Sequence, residues 1–351
     1  MLDNLDYMLE SKHERVILHT DSSTGLRAVI ALHSTVRGPA LGGIRLWSYS
    51  NSEAAIHDAL LLSEAMTKKA VVAGVPFGGG KAVILHDEIG KDPKIRAARF
   101  SAFGQLVESL KGLYIATEDI GTTPVDIAWV KRTSQYVVGV PVEEGGSGDP
   151  SPMTAFGIIQ GIRALIEDVL GTSNLEGIRV AIQGLGNVGM NLAKLLLLEG
   201  AVVIGSDIRP EVAQEANRRL GIEIVEPCSI YDVPCDIFAP CALGGVINDR
   251  TIERLTCKII AGSANNQLDD ERHGEELHDL GITYAVDYVI NAGGLINVAQ
   301  EIDGYDAMKA REKTGRIYST IKQILATSHA EGISTQRAAH RLVQNILKGA
   351  D

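Results

Sequence analysis

Three glycines run directly into a lysine at Gly78-Gly-Gly-Lys81, and an apolar run, Ala82-Val-Ile-Leu85, follows. An ammonium held between a glycine-rich loop and an apolar strand is partly desolvated, which lowers its pKa towards the range useful for acid–base work. Twelve residues earlier, Lys69 closes the segment Met66-Thr-Lys-Lys69. On a surface helix such a lysine is ordinarily a solvated charge. Asp119 ends the apolar run Tyr114-Ile-Ala-Thr-Glu-Asp119 and leaves two readings open. It is either the N-cap of a helix over 123–133 or a proton carrier at the edge of a sheet. None of the nine histidines stands beside these residues. That argues against hydroxy-acid oxidation, which would call for a catalytic histidine, and the histidines read as surface or packing residues.

A second chemical signal lies in the other half of the chain. Gly184-Leu-Gly186-Asn187-Val188-Gly189 follows the strand-like Arg179-Val-Ala-Ile-Gln183 and opens an apolar helix. A second strand-like run then ends in Asp207. This context is the dinucleotide-binding fingerprint. Gly184 permits the tight turn, Gly186 removes the Cβ that would block a diphosphate, and Gly189 lets helix and strand pack closely. The helix N-terminus offers unpaired N–H groups to phosphate. Asp207 suits the adenosine ribose hydroxyls and repels a 2′-phosphate, which favours NAD over NADP. Arg209 argues the other way, since it could pair with that phosphate.

These groups need a scaffold. At 351 residues the chain suggests two domains. Hydrophobic residues at 45% and charged residues at 22% are ordinary globular proportions. Lys+Arg 33 against Asp+Glu 44 gives a net charge of −11, which disfavours nucleic acid and anionic membrane as partners. The four cysteines form no C-x-x-C pair and read as buried free thiols. No metal site is visible. The N-terminal MLDNLDYMLESKHERV lacks a basic and an apolar region, so a soluble cytoplasmic protein is expected.

The first part reads as a short helix, strands at 15–20 and 26–32, a helix over 52–72 with Ser52 as N-cap, and a flexible glycine loop entering a strand at Lys81. The Gly-, Pro- and Ser-rich stretch 141–152 marks the boundary. Beyond it, helices alternate with apolar strands, as in a parallel sheet covered on both faces. The expected fold is α/β in two domains: residues 1–140 for substrate binding and oligomerisation, and a doubly wound dinucleotide-binding domain over 150–327. The active site is expected in the cleft between them. An amphipathic C-terminal helix within about 328–351 is expected to pack back on the first domain.

The ordered set Gly38-Pro-Ala-Leu-Gly-Gly43, Met66-Thr-Lys-Lys69, Gly78-Gly-Gly-Lys81, Thr117-Glu-Asp-Ile-Gly121, Gln183–Gly189, Pro240-Cys-Ala-Leu-Gly-Gly245, Ala261–Leu268 and Asp287–Gly294 resembles the glutamate, leucine, valine and phenylalanine dehydrogenase superfamily over nearly the whole chain. The resemblance implies reversible oxidative deamination of an L-2-amino acid with hydride passing to NAD. It implies that Lys69 binds the substrate carboxylate, that Lys81 activates water, and that Asp119 shuttles protons. Gly42 and Gly43 would let backbone lie close to substrate, with Met66 nearby. Thr154, Asn265 and Asn291 would meet the nicotinamide end, Asn265 also meeting substrate. Ala239, Cys241 and Ala264 would join the glycine motif in holding cofactor.

Leu41, Thr117, Leu295 and Val298 fall on the side-chain pocket by the same resemblance. None is charged, which disfavours glutamate. Thr117–Thr123 and Gly148-Asp-Pro-Ser-Pro152 are most similar to the leucine branch. An aromatic amino acid is the alternative substrate, and a nucleotide-binding regulatory protein without activity is the alternative of another class. The resemblance also implies a homo-oligomer, an octamer, with a dimer or tetramer as alternatives.

Overall fold

The computed structural model describes residues 3–87, 92–302 and 304–349. The chain divides into two compact units. The first comprises Met1–Asp149, Val298–Asp306 and Ile346–Asp351, and the second Pro150–Asn297 and Ala307–Asn345.

The first unit begins with α1 (Asn4–Glu10), β1 (Arg15–Asp21), β2 (Leu26–Ser34) and β3 (Ala40–Trp47). It continues with α2 (Ser52–Val72), β4 (Gly78–Leu85), α3 (Pro93–Ser109), β5 (Tyr114–Glu118) and α4 (Pro124–Lys131). Among the described residues its sheet runs β1-β2-β4-β3-β5. β2 is antiparallel to β1 and β4, while β3 is parallel to β4 and β5. β2 is apolar on both faces because both are covered. Leu26, Ala28, Ile30 and Leu32 pack with Phe100, Phe103 and Ile127 of α3 and α4. Val29 and Ala31 pack on the other face with Ala55, Ala59 and Leu60 of α2. Burial of each large side chain contributes about 1.5–3 kcal/mol.

Three sequence expectations change here. The triple glycine is strand, not flexible loop, and β4 begins at Gly78. The reason is close packing. A Cβ on Gly78 would strike the Ser34 carbonyl, one on Gly79 the Thr67 backbone, and one on Gly80 the Tyr114 ring at 2.8 Å. The N-cap of α2 is Asn51, whose side chain accepts from Ala54 N–H, rather than Ser52. β3 has no counterpart in the sequence reading. Its paired glycines hide a strand, because Gly lowers strand propensity.

The second unit begins with α5 (Ser151–Val169), β6 (Arg179–Gln183), α6 (Asn187–Leu198), β7 (Val202–Ser206), α7 (Pro210–Leu220) and β8 (Glu223–Ile224). Then come β9 (Ile237–Pro240), β10 (Ile259–Ile260), α8 (Arg272–Asp279), β11 (Thr283–Tyr284) and α9 (Asp287–Ile290). α10 (Gly293–Ala299) carries the chain into the Val298–Asp306 segment, and α11 (Ala307–Gly315), α12 (Ile317–Glu331) and α13 (Thr335–Lys348) follow. The strands pair in parallel in the order β11-β10-β9-β6-β7-β8. This is the doubly wound order, with its switch point between β6 and β9, where such sheets place ligands.

The C-terminal helix divides between the two units. α13 up to Asn345 belongs to the second unit. Thr335 Oγ1 donates to the Tyr284 carbonyl at 2.7 Å, and Arg337 Nε pairs with Glu275 Oε1 at 2.9 Å. Only the stretch from Ile346 groups with the first unit, and Val298–Asp306 joins that unit too. The thiols are also not uniformly buried. Cys257 is buried, Cys235 and Cys241 are half-buried, and Cys228 is exposed; all four are free. Among the described residues no helix is long and apolar enough to cross a membrane.

Candidate active site

The side-chain period of two in a strand decides where Lys81 points. Ala82 and Ile84 of β4 join the α3–α4 core and Val83 joins the α2 core. Lys81 therefore lies on the α2 face, opposite Ala31 of β2. It is 5% exposed. Such an ammonium requires a counter-charge. Asp119 supplies it from just beyond β5, with Oδ2 at 2.7 Å from Lys81 Nζ. Gly43 makes that approach possible, since a Cβ there would meet Asp119 Cβ at 2.6 Å. Asp119 is not a helix N-cap. Thr123 fills that position for α4, in a capping box with Asp126. The turn after β5 is fixed by Thr122, whose Oγ1 accepts from Asp119 N–H at 3.0 Å and donates to the Asp119 carbonyl at 2.7 Å.

Three further side chains complete this cluster, and sequence reasoning missed them. Arg45 of β3 reaches Asp119 Oδ2 with Nε at 3.0 Å, and its Nη1 reaches Asp58 Oδ2 of α2, also at 3.0 Å. The Tyr49 hydroxyl donates to the same Asp58 oxygen. Arg45 would have been legible had β3 been recognised, because period two places it on the face of Gly43. Burial pushes the Lys81 pKa down, Asp119 opposes that shift, and Arg45 reinforces it. Burial alone would raise the Asp119 pKa. Lys81 and Arg45 outweigh burial and hold it below the usual carboxylate range.

Around the pair, Tyr114 Oη donates to the Gly42 carbonyl at 2.6 Å, fixing the glycine backbone from the opposite face. Met66 and Lys69 are half-buried on α2. They flank Thr67, against which Gly79 packs. Thr117 and Val298 come together at Gly139, where a Cβ would meet Thr117 Oγ1 at 2.6 Å and Val298 Cγ1 at 3.9 Å. Leu41 is fully buried inside β3. Leu295, in the second unit, is nearly buried on α10.

The second unit builds its site from backbone. Gly184 has φ +94° and Ala242 Cβ lies 2.7 Å from where its own Cβ would stand. Gly189 packs against the Gly184 carbonyl, with Cys241 Cβ at 3.6 Å from its Cβ position. These contacts bring the turns after β6 and β9 together at the switch point. A Cβ on Gly186 would meet nothing within 4 Å. No protein atom requires that glycine, which suits a ligand passing close to the backbone. Asn187 and Val188 follow in the first turn of α6, whose N-cap makes no side-chain hydrogen bond.

Asp207 Oδ2 accepts from Leu185 N–H at 2.9 Å, tying the glycine turn to the end of β7. Its Oδ1 accepts from Arg209 N–H at 2.9 Å and pairs with Arg209 Nε at 3.3 Å. Burial would raise the Asp207 pKa, but these donors hold it below the usual range. A cavity of about 370 Å³ opens beside it, lined by Asp207, Ile208, Pro210, Ala213, Ile224 and Val225 among others. Its size and mostly apolar wall suit a flat heteroaromatic base.

Asn291 Nδ2 donates to Asn265 Oδ1 at 2.9 Å and to the Ser263 carbonyl at 3.1 Å, while its Oδ1 is buried without a partner. That orphaned acceptor matches the N–H₂ of a carboxamide. Thr154 is held in the first turn of α5 by its bond to the Pro150 carbonyl at 3.0 Å. Ala264 N–H donates to the Pro240 carbonyl at 2.9 Å. Ala239 lies inside β9 with no exposed surface.

Residues 12–136 match the family model described as the Glu/Leu/Phe/Val dehydrogenase dimerisation domain. Residues 145–215 and 209–348 match the Glutamate/Leucine/Phenylalanine/Valine dehydrogenase model. The chain belongs to this dehydrogenase family. The dehydrogenase is 47% identical over 343 residues to leucine dehydrogenase of Bacillus cereus, covering 98% of this chain and 93% of that enzyme. It is 44% identical over 344 residues to phenylalanine dehydrogenase of Caldalkalibacillus thermarum, covering 96% and 92%. The crystal structure of L-tryptophan dehydrogenase from Nostoc punctiforme superposes with a TM-score of 0.86 at 41% identity, over 99% of both chains. Among the described residues the dehydrogenase also carries one acidic cluster outside these sites, Asp249, His273 and Glu276. There Arg272 bridges the two carboxylates, and both His273 nitrogens are engaged.

Proposed function

We propose that this amino acid dehydrogenase deaminates a branched-chain aliphatic L-amino acid (leucine, valine or isoleucine) reversibly to the 2-oxo acid and ammonia, with NAD as hydride acceptor. The observation that carries the reading is the pair of Lys81 Nζ and Asp119 Oδ2 at 2.7 Å. A buried ammonium and a carboxylate in contact, beside bare glycine backbone, can exchange protons as one coupled unit.

NAD, when bound, takes up hydride from the substrate α-carbon. The remaining steps fall to side chains. Lys69 holds the substrate carboxylate through a charge-assisted hydrogen bond. Asp119 takes a proton from the substrate ammonium, which frees the nitrogen lone pair. Lys81, in its neutral form, takes a proton from water as the water oxygen bonds to the imino carbon. Asp119 then returns a proton to the nitrogen. As the C–N bond breaks, the hydroxyl of the water adduct becomes the carbonyl and its proton passes to the departing ammonia, which leaves as ammonium, while Lys81 releases its proton to solvent. Amino acid, water and NAD⁺ become oxo acid, ammonium, NADH and one proton.

Thr154, Asn265 and Asn291 are assigned to the nicotinamide end, and the Gly184–Gly189 turn with Cys241 and Ala264 to the diphosphate side. Asp207 is assigned to the adenosine ribose. Its pairing with Arg209 engages the cation that would otherwise favour a 2′-phosphate. Thr117, Leu295 and Val298 are assigned to the substrate side chain. They carry no charge, and a γ-carboxylate among them would be costly. An aromatic substrate is the second reading, favoured by the 0.86 TM-score to L-tryptophan dehydrogenase.

We also infer a cytoplasmic homo-oligomer built through the first unit. Its edge strand β1 leaves Leu18 64% exposed, as an unpaired edge awaiting a second copy would. The resemblance favours an octamer, which light scattering after size exclusion would test.

The functional test is NADH formation at alkaline pH with L-leucine, L-valine, L-phenylalanine, L-tryptophan and L-glutamate, with NAD and NADP in parallel. Turnover of leucine or valine with NAD is expected. Turnover confined to an aromatic substrate would overturn the pocket assignment, and no turnover on any of them would overturn the reading itself.

A further inference from the structure

The two oxygens of Asp119 are not equivalent. Oδ2 takes both Lys81 Nζ at 2.7 Å and Arg45 Nε at 3.0 Å. Oδ1 accepts no hydrogen bond among the described residues, and the Asp119 side chain is 20% exposed. Arg45 is itself pinned. Its Nη1 bonds to Asp58 Oδ1 and Oδ2, at 3.4 and 3.0 Å, and Tyr49 closes on Asp58 from the side. The guanidinium therefore links β3, the start of α2 and the turn after β5, and its rigid fork suits that geometry better than a lysine would.

We propose that Arg45 is a positioning residue for the deamination chemistry: with Lys81 it occupies Asp119 Oδ2, which reserves Oδ1 for proton exchange with the substrate nitrogen, while Asp58 and Tyr49 hold the guanidinium in place. This rests on the function proposed above. A carboxylate free to rotate would offer its oxygens to substrate and Lys81 interchangeably. Locking one oxygen with two cations fixes the other in direction, which is where orientation contributes to rate.

A structural salt bridge alone would also explain the contacts, so the test must read more than stability. Among the described residues, the charged and titratable groups acting on Lys81 and Asp119 include Arg45, Asp58, Tyr114 and Glu118, while Tyr49 acts on Arg45 and Asp58. Removing the Arg45 cation favours the protonated forms of both Lys81 and Asp119, so both apparent pKa values of the pair rise. Removing the Asp58 charge does the reverse.

The experiment is the pH profile of kcat/KM for the wild-type enzyme, Arg45→Met, Arg45→Lys and Asp58→Asn, with NADH binding measured on each by fluorescence. Arg45→Met should move both limbs upward by about one pH unit and lower kcat at least about tenfold. Asp58→Asn should move them downward by less. Arg45→Lys should keep the limbs near wild type while kcat stays lowered, because the charge remains and the fork is lost. NADH affinity should be unchanged throughout. Unmoved limbs in both Arg45→Met and Asp58→Asn would overturn the role of Arg45 while leaving the proposed function intact. If Arg45→Met does not fold, Asp58→Asn decides alone: a downward shift supports the role and an unmoved profile overturns it. A wild-type enzyme that turns over no amino acid overturns both proposals.

Discussion

The two units build their candidate sites in opposite ways. The first assembles side chains from four places far apart in the sequence: Arg45 on β3, Asp58 on α2, Lys81 on β4 and Asp119 after β5. Each is charged and at least partly buried, so each needs the others. The second unit uses one contiguous turn, Gly184–Gly189, whose working parts are backbone N–H groups and missing Cβ atoms. Asp207 supports it by capping Leu185 N–H. A side-chain cluster tunes proton affinity, whereas a backbone cradle tunes close approach. Chemistry that moves protons calls for the first, and a ligand shared by many enzymes can be held by the second.

If the division is real, damage should stay on one side. Lys81→Ala is expected to have the largest effect, lowering kcat by about 10²–10⁴-fold. NADH binding, measured by fluorescence titration, should remain near wild type. Loss of both would break the comparison.

Gly186→Ala makes the converse test. Gly186 has φ −68° and open space at its Cβ position, so an alanine strains nothing. The melting temperature should hold, while the NADH dissociation constant rises ~10-fold or more, equivalent to ~1.4 kcal/mol. A fall in melting temperature with unchanged NADH affinity would show that the glycine serves the fold instead.

A smaller effect sharpens the energetic contrast. Next to α2, His33 bonds to Thr67 Oγ1 at 2.8 Å and to the Ser11 carbonyl at 2.9 Å. Burial, helped by neighbouring His13, pushes its pKa down to about 4. Between pH 6.5 and 4 the unfolded chain binds a proton that the folded chain does not, so stability falls as pH falls through that window. Urea unfolding at pH 7 and pH 5 should differ by about 1–2 kcal/mol from this source. His33→Gln should remove that part of the difference, and an unchanged difference would reject the assignment.

The glycine turn was legible from the sequence because all its requirements are local. A strand, three spaced glycines and a helix start lie within a dozen residues, and the terminal carboxylate follows at the end of the next strand. Lys81 and Asp119 were legible as residues, but their contact was not. Asp119 stood equally well as an N-cap until Thr123 was seen to fill that role. Arg45 was hidden because the glycines of β3 masked a strand. The triple glycine read as loop for the same reason: Gly78–Gly80 are strand residues only because Ser34, Thr67 and Tyr114 crowd them from other elements.

What the sequence determined by itself is whatever depends on neighbours along the chain: the helical and strand periods, the glycine turn, the negative charge, and the residue types present for the chemistry. What only the tertiary structure decided is which charges share a buried space and which glycines are there for contact rather than for flexibility. A pKa or a close approach is set by atoms within a few ångströms, and at Lys81 those atoms come from positions 45, 58 and 119. Spacing in sequence carries no record of that distance.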